Sequence, residues 1–222
     1  MIALARFRLV GYIASHRALQ PFIGLLPLLA IMYATPVPAG QELGAMADSA
    51  GMLIPVFAWG ARGLLDREPD EQRMISLVAT GRGELFSGLL AAYAYAGVLA
   101  SISLIALVTR LSADPTAGML AIGVLLHVFS ITAGVALGAL TSRPILPSPA
   151  VSTIALIVGY LVTLMVSTST SVGQWLAVPV MAWMRDAHHG LLTDRLPLLS
   201  VQSLLWPVVG IAAYAWLRRT RP

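Results

Sequence analysis

Six apolar stretches separated by short polar segments organise the chain, over Ala18 to Ala39, Ala47 to Leu65, Leu85 to Arg110, Ala117 to Ala139, Pro149 to Ser167 and Leu198 to Leu217. A helix rising 1.5 Å per residue needs about 20 apolar residues to cross about 30 Å of hydrocarbon. Each stretch therefore predicts a membrane-spanning helix. The sequence lacks the long alternation of polar and apolar positions that a transmembrane barrel requires, and helices satisfy their own backbone groups in lipid. The expected fold is all-α: a polytopic membrane protein with six transmembrane helices in a single domain over residues 1–222. Arg6, Arg8 and Arg17 precede the first stretch in the manner of a secretory signal. Its apolar run is too long for a signal and more spans follow, which predicts a retained helix.

Three segments depart from plain spans. Residues 66–84, DREPDEQRMISLVATGRGE, carry five acids and three arginines around Met74, Ile75, Leu77 and Val78. Pro69 suits a helix start, Asp70 and Glu71 suit the positive end of its dipole, and Gly81 suits its stop. A short amphipathic helix lying flat on the membrane surface is expected there. Residues 168–197 begin with a Ser/Thr run, continue through twelve largely apolar residues from Gly173 to Met184, broken by Pro179, and end in RDAHHGLLTDR. Twelve residues are too few to cross, so a re-entrant or interfacial hairpin is expected, with Trp175 and Trp183 as headgroup-level anchors. Residues 1–17 read as a basic, membrane-proximal interfacial segment.

Composition sharpens this picture. The chain is 58% hydrophobic and 11% charged, with a mean hydropathy of +0.82, a ratio that excludes an ordinary water-soluble domain. All 14 basic residues are arginine, so a phosphate-binding loop ending in Gly-Lys-Ser/Thr is impossible. Cysteine is absent, which removes disulfides, thiolate metal sites and cysteine nucleophiles. The net charge of +4 reflects topology and not nucleic-acid binding, because the arginines lie between apolar runs. With both termini on one side of six spans, that side holds Arg6, Arg8, Arg17, Arg62, Arg67, Arg73, Arg82, Arg143, Arg218, Arg219 and Arg221, and the other only Arg110, Arg185 and Arg195. This 11 to 3 bias puts both termini in the cytoplasm of a multi-pass plasma-membrane protein.

The basic N-terminal segment, the charged helix between spans two and three and the broken hairpin between spans five and six together resemble the membrane (permease) subunits of type-2 ATP-binding cassette exporters. As sequence, the resemblance is carried by Arg67-Glu68, Leu77, Ala79-Thr80 and Glu84-Leu85; the chain departs in having Gln72-Arg73 where Gly-Thr is usual and Gly81 where proline is usual. The resemblance implies that the helix of residues 66–84 is a coupling helix seated in a cytoplasmic ATPase subunit, with Arg67, Glu68, Asp70, Glu71, Arg73, Met74, Leu77, Arg82 and Glu84 as contact residues. It also implies a dimer of membrane subunits, identical or different, and ATP and Mg bound only by the partner, so that this chain is no enzyme and holds no cofactor. The substrate would be an amphipathic drug, peptide or lipid-linked molecule.

Polar residues inside spans are candidate pathway groups because desolvating them is costly. Tyr93, His127, Ser130 and Thr132 fall in this class. His127 either contacts substrate or bonds a neighbouring carbonyl, the commoner fate, and Ser130 and Thr132 either line a path or bond helix backbone. Tyr93 and Tyr95 point about 200° apart, so at most one faces a path. Asp48 and Arg62 sit too far apart along span two to pair, and each reaches its own interface. His188 and His189 beside Asp186 do not have metal-ligand spacing. The rival readings are a secondary transporter or channel, an intramembrane enzyme, for which the residues are too few, and a non-transporting membrane immunity protein.

Overall fold

Among the described residues, five helices are long and apolar enough to cross a bilayer. The computed structural model describes residues 1–81, 83–168 and 175–220, Asp70 without its side chain. Its helices are α1 (Ile2–Ala14), α2 (Leu19–Met32), α3 (Glu42–Leu65), α4 (Asp70–Thr80), α5 (Gly83–Val108), α6 (Ala117–Leu140), α7 (Pro149–Ser167), α8 (Val180–His188) and α9 (Leu192–Thr220). The candidate spans are α3, α5, α6, α7 and α9, and no strands occur among the described residues.

The first expected span differs. Helix α2 has 14 residues, ~21 Å at 1.5 Å per residue, short of the hydrocarbon thickness. Pro36 and Pro38 explain the early stop: each lacks an N–H and forces the preceding residue out of the helical region. The chain becomes extended instead, and Val37 exchanges backbone hydrogen bonds with Arg110 (2.8 Å) and Ser112 (3.0 Å) beyond α5. Helix α9 starts six residues earlier than Leu198 and runs through Pro197 and Pro207.

Local signals set the other ends. Thr116 accepts from the Met119 N–H at 3.2 Å to cap α6, and Ser148 caps α7, with Pro149 at its first position. Pro69 immediately precedes α4, and Gly81 ends it at φ +55°, a conformation side chains resist.

Helix α3 is the hub, packing on α6, α5, α8, α2 and α7. Its contact with α6 is close because α6 presents Gly134 and Gly138, one turn apart. A methyl group built on Gly134 would lie 2.9 Å from the Ile54 carbonyl oxygen, and one on Gly138 would overlap the Ala58 carbonyl. In lipid, where no hydrophobic force drives helices together, such backbone approach supplies the packing. Helix α8 lies along the first half of α3, with His188 beside Gly44 and Val180 and Met184 against Gly51. Gly51 is nine residues into α3, so α8 reaches ~14 Å below that end. Its approach from α7 includes residues 169–174, outside the described residues. Trp183, expected at the headgroup level, is instead wholly buried, stacks obliquely on Phe129 and donates to Ser203 Oγ at 3.1 Å. Trp175 is partly exposed.

Candidate functional site

Contacts gather most of the arginines at one end of the bundle. Helix α1, the C-terminal ends of α3 and α9, helix α4, the start of α5 and the α6–α7 turn all meet there. Arg62 lies 3.5 Å from Asp66, whose carboxylate accepts the Arg143 N–H at 2.5 Å. Burial pushes the Asp66 carboxyl above its usual range, and the Arg143 and Arg62 bonds offset part of that.

Arg8 is the centre of this end. It is 5% exposed, and all five of its N–H donors are used. Two go to the Glu68 carboxylate at 2.7 and 2.5 Å, one to Glu84 Oε1 at 2.6 Å, one to the Glu84 carbonyl at 2.5 Å and one to Ser87 Oγ at 3.0 Å. The other Glu84 oxygen meets Arg218 at 3.0 Å, and the Arg218 guanidinium lies over the Tyr214 ring. Among the described contacts, Arg8 and Arg218 thus meet Glu68 and Glu84 in a nearly dry site. Burial works against the Arg8 charge, but the bonds to Glu68 and Glu84 outweigh it and hold the guanidinium above its ordinary value. The network ties α1, the α3–α4 connection, α5 and α9 together, and Gly88 leaves room for the Arg8 side chain. Within residues 1–17, read from the sequence as a basic interfacial segment, Arg8 is the side chain that joins α1 to the bundle. A polar group on an otherwise apolar helix face was the signal for this.

Helix α4 stands out from that base and packs mainly on the start of α5. Ile75 is 70% and Val78 85% exposed, and Met74 and Leu77 are also exposed. The nine expected contact residues therefore divide. Glu71, Met74 and Leu77 lie on the open helix and Arg73 is half-buried at its base. Glu68 and Glu84 face inward onto Arg8, and Arg67 packs its guanidinium on Gly11 of α1. Asp70 begins α4, and Arg82 lies outside the described residues.

The expected pathway residues do not converge on an open path. His127 is 1% exposed; its Nδ1 donates to the Gly123 carbonyl at 2.8 Å, and its Nε2 shares a hydrogen bond with Ser49 Oγ at 3.2 Å. Ser49 also bonds Ser103 Oγ at 3.1 Å, so α3, α5 and α6 share one buried polar link. Ser130 donates to the Ala50 carbonyl of α3, and Thr132 to the Phe129 carbonyl of its own helix. Tyr93 is half-buried against the core. Tyr95 on the opposite face is buried, donates to the Ala18 carbonyl at 2.5 Å and meets Tyr12 edge to face.

At the opposite end His188 bonds Asp48 at 2.9 Å and Gln41 at 3.1 Å, and buried Asp186 holds Arg195 and Arg185, both at 3.2 Å. No group of three potential ligands that could hold a metal occurs among the described residues. Arg110, Arg185 and Arg195 all belong to this end, opposite the arginine-rich one.

The fold and its burial pattern define a multi-pass helical membrane protein, with long apolar helices whose outer faces are open. Comparison of the chain with protein-family models, characterised proteins and solved structures gives no match.

Proposed function

We propose that the chain is the membrane-spanning subunit of an ATP-driven exporter of the type-2 ATP-binding cassette class, paired with a second membrane subunit and coupled to separate ATPase subunits. The observation that carries this reading is α4, a helix with apolar residues exposed along its length, projecting from the arginine-rich end on a base locked by Arg8, Glu68 and Glu84. An apolar, unpaired helix is costly in water and fits a groove in a partner. Its rigid seat lets a push on α4 reach α1, α5 and α9 as one body, the requirement for a two-state rearrangement. The arginine bias supports a cytoplasmic position for this end, where nucleotide is available.

These 222 residues contain no lysine and so supply no phosphate-binding loop of the Gly-Lys-Ser/Thr kind, which fits ATP bound by a separate subunit. The exported molecule would be amphipathic: a drug, a peptide or a lipid-linked compound. A secondary transporter would need paired ionisable groups at mid-depth, and His127 is already committed to Gly123 and Ser49.

The test is co-purification from native membranes. Capture of an ATPase with its own phosphate loop, lost in Ile75→Arg/Val78→Arg but kept in a surface variant at the opposite end, supports the reading. Capture unaffected by the α4 change, or absent altogether, removes the coupling role.

A further inference from the structure

A groove of about 860 Å³ opens beside α4, between the first turns of α5 and the last turns of α9. Leu85, Phe86 and Leu89 form one wall, Val208, Ile211 and Ala215 the other, and Arg73, Arg218, Arg219 and Glu84 surround its charged end. We propose that this groove binds one anionic phospholipid of the surrounding bilayer, its phosphate at the arginines and an acyl chain between α5 and α9.

Three observations choose this occupant. The walls belong to two candidate spans, and Phe86 (53% exposed) and Val208 (62% exposed) stand at its mouth, so it opens sideways toward hydrocarbon. Along α9, Val208 and Arg219 are eleven residues apart, ~16 Å, which matches one leaflet of a ~30 Å hydrocarbon core. Among the described residues that line the rim are three arginines and one carboxylate, Glu84, which holds Arg218; Arg219 is exposed. A basic pocket between membrane helices with an apolar floor is the chemistry that selects anionic headgroups. Arg218 is fixed by Glu84 and the Tyr214 ring, so part of the head site is ordered in advance. Met74 and Leu77 of α4 also line the groove, so the bound lipid would support α4 from beneath. The inference does not depend on an ATPase partner.

Native mass spectrometry of the full chain, released from detergent and titrated with phosphatidylglycerol or phosphatidylcholine, tests it. One phosphatidylglycerol should be retained per chain with about tenfold preference, a difference of ~1.4 kcal/mol. Arg219→Gln should reduce that preference, and Ala215→Trp, which fills the groove, should abolish retention of both lipids. Ala212→Trp on the same wall gives the same readout if Ala215→Trp fails to fold. Equal retention of the two lipids, or retention indifferent to groove filling, overturns the proposal. Loss of a chain dimer on groove filling, with no lipid retained by the original chain, assigns the groove to a second copy and also overturns it.

Discussion

Arg8 and Glu84, 76 residues apart in sequence, face each other at 2.6 Å with side chains 6% and 3% exposed. A charge pair this dry is not a simple source of stability, because removing two ions from water costs about what their attraction returns. Its effect is positional: it fixes α1 against α5 and, through Glu68, fixes the stem from which α4 projects.

Breaking the pair from one side should be expensive. Arg8→Met takes the bidentate partner from Glu68 and one cation from Glu84, and should destabilise the protein by about 3–5 kcal/mol. The double variant Arg8→Met/Glu68→Gln should recover part of that loss. Thermal unfolding in detergent, followed by tryptophan fluorescence, measures both; equal melting of Arg8→Met and the original chain contradicts the buried network.

The α3–α6 contact predicts intolerance at two glycines. Gly138→Leu has to displace the Ala58 carbonyl and the Ala61 methyl, and should cost at least the ~1–3 kcal/mol typical of overpacking. Gly97, with nothing within 4 Å of an added Cβ, is the control: Gly97→Ala should be neutral or slightly stabilising in the same assay, since a helix interior favours alanine.

Ser49 joins three helices through one hydroxyl. Ser49→Ala leaves Ser103 Oγ and His127 Nε2 buried without this partner, at a cost of about 1–3 kcal/mol. If His127 serves only this link, Ser49→Ala and His127→Leu should be strongly non-additive in a double-mutant cycle. Additive losses would point to a separate role for His127.

Asp66 gives a pH signature. Its carboxyl titrates above its ordinary value in the folded state, mainly through burial. Its contribution is therefore fully present below the unfolded value, near pH 4, and is lost as pH rises through the folded value. Asp66→Asn should remove that loss, so its stability relative to the original chain should increase from pH 4 upward and then level off. A relative stability that falls over the same range contradicts the burial of Asp66.

The exposed face of α4 should be silent for folding. Ile75→Arg and Val78→Arg, at 70% and 85% exposure, should each change stability by no more than about 0.5 kcal/mol. A large loss in melting temperature in the isolated chain would mean that α4 packs on the protein itself.

Much of the architecture was legible along the chain. The spans from Ala117 and Pro149, the short helix bounded by Pro69 and Gly81, and the helix that begins after Pro179 all follow from apolar length and from residues that act on their immediate backbone. The early end of α2 was equally local, written in Pro36 and Pro38, but the apolar run through them hid it. The Gly134 and Gly138 spacing was also visible as a small-residue motif, though it does not name the helix that it meets.

The sequence by itself determined which segments are helical, which of them suit lipid and which ends carry the arginines, because hydropathy, proline and charge act within a few residues. Only the tertiary structure decided that Arg8 is buried, that Glu68 and Glu84 turn inward while Ile75 and Val78 stay open, and that Trp183 is core and not anchor. Those outcomes depend on which helix faces meet across separations of 20 to 76 residues. No local pattern records such a meeting; the close fit of α3 to α6 and the pairing of buried charge settle it.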